Sequence, residues 1–132
     1  MITVISGSNR KGSECLKFAK KYVECFETQS DEKIRLLSLE DMAHDWFHAA
    51  MYDEPSQSLI EIQDEYILPA DKFFFVLSEY NGSLPGSLKL FLDALSVREI
   101  VATFKNKKAA MAGIPVIIAV GAPSSIAVSV AK

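Results

Sequence analysis

Residues 78–96 read SEYNGSLPGSLKLFLDALS, and no other stretch of this chain limits its fold so sharply. A short apolar run (Phe73, Phe74, Phe75, Val76, Leu77) leads into a polar turn, and the turn opens an amphipathic helix with Pro85 near its start. A strand that ends, a loop that offers polar and aromatic groups, and a helix that carries the chain away form the ligand-binding edge of an α/β sheet.

The rest of the chain reads as one domain built in the same way. Its 132 residues are nearly half hydrophobic, enough for a core. Strands are predicted at 2–5, 33–39, 72–77 and 107–114, and helices at 14–28, 56–67 and 84–96. The first helix places Leu16, Ala19, Val23 and Phe26 on one face. The second turns Leu59, Ile62 and Tyr66 inward, and the third carries Leu84, Leu88, Phe91 and Leu95 on one stripe. The third strand is apolar on both faces, as a central parallel strand should be. Residues 40–55 read as irregular, aromatic and acidic. Strands alternating with helices give a doubly wound parallel sheet.

A net charge of −3 and the lack of a basic stretch with interleaved aromatics argue against nucleic acid. Cys15 and Cys25 fall on one predicted helix, about 15 Å apart along its axis. That is too far to bridge, so both read as free thiols of a cytoplasmic protein. The first residues form a short strand that stops at Gly7, which is no secretory signal. Residues 109–131 carry no charge, but Pro115, Gly121, Pro123, Ser124 and Ser125 interrupt them, against a membrane helix.

A second strand–loop–helix junction lies near the N-terminus, Gly7-Ser8-Asn9-Arg10-Lys11-Gly12-Ser13. Gly7 and Gly12 permit tight turns, Ser8 and Ser13 offer hydroxyls, and Ser13 is placed to cap the helix. Arg10 presents a fork of N–H donors suited to phosphate oxygens. The helix start adds partial positive charge. The NTPase phosphate loop fails here, because Ser13 stands where its lysine belongs. The dinucleotide fingerprint fails too, because Asn9 holds the place of its second glycine. What remains suits a terminal monophosphate, and two such loops in one chain point to a nucleotide-like ligand.

Taken together, the two loops resemble those of the NADPH-dependent FMN reductase family, flavodoxin-like proteins that include quinone and azo-dye reductases. Gly7, Ser8, Arg10 and Ser13 match its first motif, roughly GSxRxxS. Glu79, Tyr80, Asn81, Gly82, Ser83, Pro85, Gly86, Leu88, Lys89 and Asp93 match its second, roughly PEYNGSxPGxLKxxxD, with Ser78 in place of the usual proline. The resemblance implies a flavodoxin-like sheet of order 2-1-3-4 and bound FMN reduced by NADPH or NADH. Electrons would pass to a small molecule: a quinone, an azo compound or free flavin. It implies that Ser8, Arg10 and Ser13 hold the FMN phosphate. Glu79, Tyr80, Asn81, Gly82 and Ser83 would wrap the ribityl chain and ring edge, Tyr80 lying against the ring. The Asn81 side chain and the Gly82 and Ser83 amides would hydrogen-bond the flavin. Hydride transfer needs no protein acid or base, so no catalytic side chain is assigned. Similar proteins are homodimers or homotetramers.

Past the fourth strand the pattern departs from the family. The sequence runs from Ala112-Gly113-Ile114 straight into Pro115-Val116-Ile117-Ile118, with no polar flavin loop and no amphipathic helix. A crossover to a fifth parallel strand needs about a dozen residues before the strand itself. The expectation is an FMN-binding domain over 1–114 and an atypical apolar tail over 115–132, the fifth strand missing or replaced. Two other readings stay open: a flavodoxin-like electron carrier, against which Arg10 argues, and a truncated remnant with weak or no flavin binding.

Other residues carry less. His44 and His48 lie four apart near Asp45, but no third metal ligand follows, so they read as solvated. Trp46, Phe47, Met51 and Tyr52 either pack under a long loop or shape a substrate pocket. Lys89 and Asp93, four apart on a helix, read as a surface pair or as part of a subunit interface.

Overall fold

The computed structural model describes residues 1–96, 98 and 103–114. Four parallel strands, β1 (Ile2–Ser6), β2 (Ile34–Ser38), β3 (Lys72–Ser78) and β4 (Lys108–Ile114), form one sheet in the order β2-β1-β3-β4. Helices among the described residues include α1 (Glu14–Gln29), α2 (Gln57–Ile62) and α3 (Gly86–Leu95). This is the expected flavodoxin-like α/β arrangement. The expected tail, 115–132, lies outside the described residues.

Alternation along the strands divides the core. Ile5, Leu37, Phe73 and Phe75 face the side of α2 and α3, where Leu59, Leu88, Phe91 and Leu95 close over them. Val4 and Val76 face α1 and meet Cys15 and Ala19. Tyr22, Phe26 and Phe74 complete that side, the Tyr22 and Phe74 ring centroids lying 4.5 Å apart. Ser13 caps α1, its hydroxyl accepting from the Leu16 amide at 3.3 Å. Ser56 does the same for α2 through Leu59.

Three features differ from the sequence expectation. The second helix is α-helical only to Ile62 and then widens into a π turn over Gln63–Ile67, closed by the Leu68 amide on the Gln63 carbonyl at 2.8 Å. The turn buries Gln63, whose amide nitrogen reaches the Leu95 carbonyl, the Arg98 carbonyl and the Thr103 hydroxyl. Leu84 does not join the stripe of α3: it precedes the helix and is exposed, because Pro85 sets the first turn after it. The aromatic segment divides. Trp46 and Met51 are buried, Trp46 donating to Ser58 Oγ at 2.9 Å, whereas Phe47 and Tyr52 are exposed.

Candidate flavin site

All four strands run the same way, so the loops after β1, β2 and β3 emerge at one edge of the sheet. The chain reverses its direction of winding between β1 and β3, where a doubly wound sheet opens a crevice. Ser6 pairs with Val76 in register, which brings the loop over residues 7–13 beside the loop over 79–85.

Two contacts lock these loops together. Ser8 is buried, and its hydroxyl lies 3.2 Å from the Tyr80 phenol. Ser87 Oγ, in the first turn of α3, donates to the Gly7 carbonyl at 2.9 Å. Gly7 itself sits tight against β3, its amide donating to the Val76 carbonyl at 2.9 Å. A Cβ there would stand 3.0 Å from Leu77 Cδ2 and 3.3 Å from the Val76 oxygen.

The second loop is a two-residue hairpin. Tyr80 and Ser83 exchange both backbone hydrogen bonds, at 2.9 and 3.0 Å, across Asn81 and Gly82. Asn81 has φ +52 and Gly82 φ +76, the left-handed pair that an Asn-Gly turn requires. Glu79 reinforces it by accepting from the Gly82 amide at 2.9 Å. The Gly82 and Ser83 amides, expected to face a flavin, are thus spent inside the hairpin. Tyr80 and Asn81 remain exposed.

In the first loop Arg10 is exposed, and its amide donates to Ser8 Oγ at 3.3 Å. Ser13 has a partner that the sequence did not suggest. Its amide and its hydroxyl both donate to Glu40 Oε1, at 3.0 and 3.2 Å. Glu40 arrives from a 3-10 turn directly after β2, the turn Leu39–Asp41. The Ser13 amide above all, then the Ser13 hydroxyl, the Gly12 amide and the nearby Lys20 charge, hold its carboxyl below the ordinary value. Beside this contact lies a cleft of about 450 Å³ lined by Asn9, Lys11, Glu40, His44, Phe47 and Leu90, among others.

Two hydroxyls, Ser6 Oγ and Ser78 Oγ, are buried without a hydrogen-bond partner among the described residues. They end β1 and β3, where the two loops leave the sheet. The Cys15 thiol lies near Ser78, and burial pushes its pKa up. Cys15 and Cys25 are both free. Among the described residues no cluster of His, Cys, Asp and Glu could hold a metal. Lys89 and Asp93 pair at 2.6 Å with both side chains largely exposed, a contact worth a few tenths of a kcal/mol. No described helix is long and apolar enough to cross a membrane.

The family profile of the NADPH-dependent FMN reductases matches residues 1–131. The chain belongs to that family. Two solved structures of flavin enzymes are similar to this FMN reductase family member. One is FerB from Paracoccus denitrificans, a flavoenzyme NAD(P)H:(acceptor) oxidoreductase. It is 25% identical, with a TM-score of 0.66 over 85% of this chain and 59% of FerB. The other is the apo form of the NADH:FMN oxidoreductase EmoB. It is 27% identical, with a TM-score of 0.66 over 85% of this chain and 57% of EmoB. The chain therefore spans less than two-thirds of the length of either. A search of curated proteins returns no match.

Proposed function

We propose that this chain binds FMN across the two loops and serves as an NAD(P)H-dependent reductase of a small electron acceptor. One observation carries the reading: the Ser8–Tyr80 contact joins both motif loops over the crevice between β1 and β3. The donor chemistry fits a flavin monophosphate. Arg10 and Lys11 supply positive charge, and the first-turn amides of α3 have no side-chain cap. The orphan hydroxyls of Ser6 and Ser78 mark the same edge as polar.

In this reading Arg10, Ser8 and Ser13 hold the phosphate. Glu79, Tyr80, Asn81, Gly82 and Ser83 form the wall against the ribityl chain and ring. With the Gly82 and Ser83 amides engaged in the hairpin, the exposed Asn81 side chain and the Tyr80 ring are the groups that meet the flavin. FMN held there would supply the redox chemistry, hydride acceptance from NAD(P)H and electron delivery to a quinone, an azo compound or free flavin. The protein's part is to fix the ring, leave one face open and tune it by hydrogen bonds.

A homodimer or homotetramer belongs to the same reading, supported by Phe47, exposed on the lining of the cleft, and by the exposed Tyr52. Free thiols support a cytoplasmic setting. The test is NADPH and NADH oxidation by the FMN-saturated chain with a quinone present. Turnover above the free-flavin rate supports a reductase. Flavin binding with no turnover would instead favour an electron carrier.

A further inference from the structure

The Glu40 carboxylate reaches the N-cap of α1 from 27 residues away in sequence. Ser13 has two protons to give, one on its amide and one on its hydroxyl; the hydroxyl gives to Glu40 Oε1, and the amide is shared between Glu40 Oε1 at 3.0 Å and the Arg10 carbonyl at 3.1 Å. A lone pair of the same hydroxyl accepts from the Leu16 amide. Ser13 therefore has no donor left for a second anion.

We propose that Glu40 is an internal competitor for the flavin phosphate, a resident carboxylate that sets how strongly this loop prefers phosphorylated over unphosphorylated flavin. The proposal rests on the reading that this loop binds the FMN phosphate. A phosphate seated at Ser13 must displace the Glu40 carboxylate or lie against a like charge. Displacement is open to it. Glu40 is only half-buried, and its backbone is held separately, the Glu40 amide donating to Ser38 Oγ at 3.2 Å. Its carboxylate can swing out while the turn stays in place. The cleft beside it contains Lys11, and Lys20 also faces Glu40, so cations stand ready for either anion. Arg10 carries the part of the phosphate affinity that Glu40 does not contest.

The consequence is specific to phosphate. Riboflavin has the ring and ribityl chain of FMN without the anion, so Glu40 should leave its binding untouched. Glu40→Gln keeps an oxygen for the Ser13 amide and removes the charge. Glu40→Ala frees the Ser13 hydroxyl and leaves the Ser13 amide with the Arg10 carbonyl alone.

The experiment is a flavin-fluorescence titration of the full chain and both variants with FMN and with riboflavin. Both variants are expected to bind FMN about tenfold more tightly or better, with riboflavin changed less than about twofold. Unchanged or weaker FMN binding by folded E40Q would overturn the proposal. The unaltered chain gives an independent reading by amide NMR. Saturation with FMN should move the Ser13 amide resonance as Glu40 leaves it, and an unmoved Ser13 amide would also overturn the proposal. Arg10→Ala separates the two ideas. If R10A loses FMN affinity while E40Q changes nothing, the competitor role fails and the phosphate reading stands. If R10A loses nothing and FMN binds no better than riboflavin, both fail.

Discussion

The Ser8 hydroxyl and the Tyr80 phenol lie 3.2 Å apart, although 72 residues separate them along the chain. The contact exists because β1 and β3 are neighbours in the sheet and end together. It fixes the first loop against the hairpin before any ligand arrives. Tyr80→Phe removes the bond but keeps the ring, and Ser8 retains the Arg10 amide as a partner. FMN affinity should fall about three- to tenfold through loss of this alignment, with stability changed by less than about 1 kcal/mol. Titration and a melt of the same sample check both halves.

Gly82→Ala forces a side chain onto a residue at φ +76. The strain is about 1 kcal/mol and acts on the hairpin alone. Gly7→Ala acts differently, since its Cβ meets the Val76 carbonyl, which cannot rotate away as a side chain can. The loop must shift from β3, costing about 1–3 kcal/mol and FMN affinity with it. Urea unfolding of both variants should rank Gly7→Ala as the more damaging.

The buried amide of Gln63 shares its two protons among three acceptors from the end of α3 and the residues beyond it. Gln63→Ala removes all three bonds and leaves a void beside Leu95. The expected loss is about 2–4 kcal/mol, seen as a lower urea midpoint with an unchanged slope.

Glu40 links the site to pH. Its folded pKa lies below its ordinary value of 4.5 because Ser13 hydrogen-bonds the charged form. The folded state thus binds fewer protons than the unfolded chain in this range. The stabilisation is complete above the ordinary value and is lost as pH falls through the lowered folded one. E40Q should lower stability at neutral pH and flatten that acid limb, its curve meeting that of the unaltered chain at the lowest pH. Melting temperatures across the acid range measure it.

Cys15 is buried and Cys25 exposed. A thiol reagent should therefore modify Cys25 rapidly in the native chain and reach Cys15 only on unfolding.

The sequence announced the elements because each carries a local signature. The apolar run of β3, the helical spacing of Leu88, Phe91 and Leu95 on α3, and the Asn81-Gly82 turn all report their geometry within a few residues. Glu40 has no such signature. It meets Ser13 only because β2 lies beside β1, and it sits in a segment whose polarity reads as plain loop. Gln63 was hidden for a related reason: a glutamine between Ile62 and Asp64 looks solvated until a π turn rotates it inward. The spending of the Gly82 and Ser83 amides follows from hairpin hydrogen bonding. The motif residues match, but matching does not say which of their donors remain free. Leu84 shows the limit of periodicity, since a residue can fit the stripe and still precede the helix.

The central claim is that the loop at residues 7–13 and the hairpin at residues 80–83 form one site for a flavin monophosphate. Parallel fluorescence titrations of the unaltered chain and Arg10→Ala with FMN and riboflavin test it most directly. The account predicts saturable FMN binding at about micromolar concentration or below, weaker riboflavin binding, and a loss of more than about tenfold in FMN affinity for R10A alone. Equal affinity for FMN and riboflavin, or an R10A variant that binds FMN as the unaltered chain does, would contradict it.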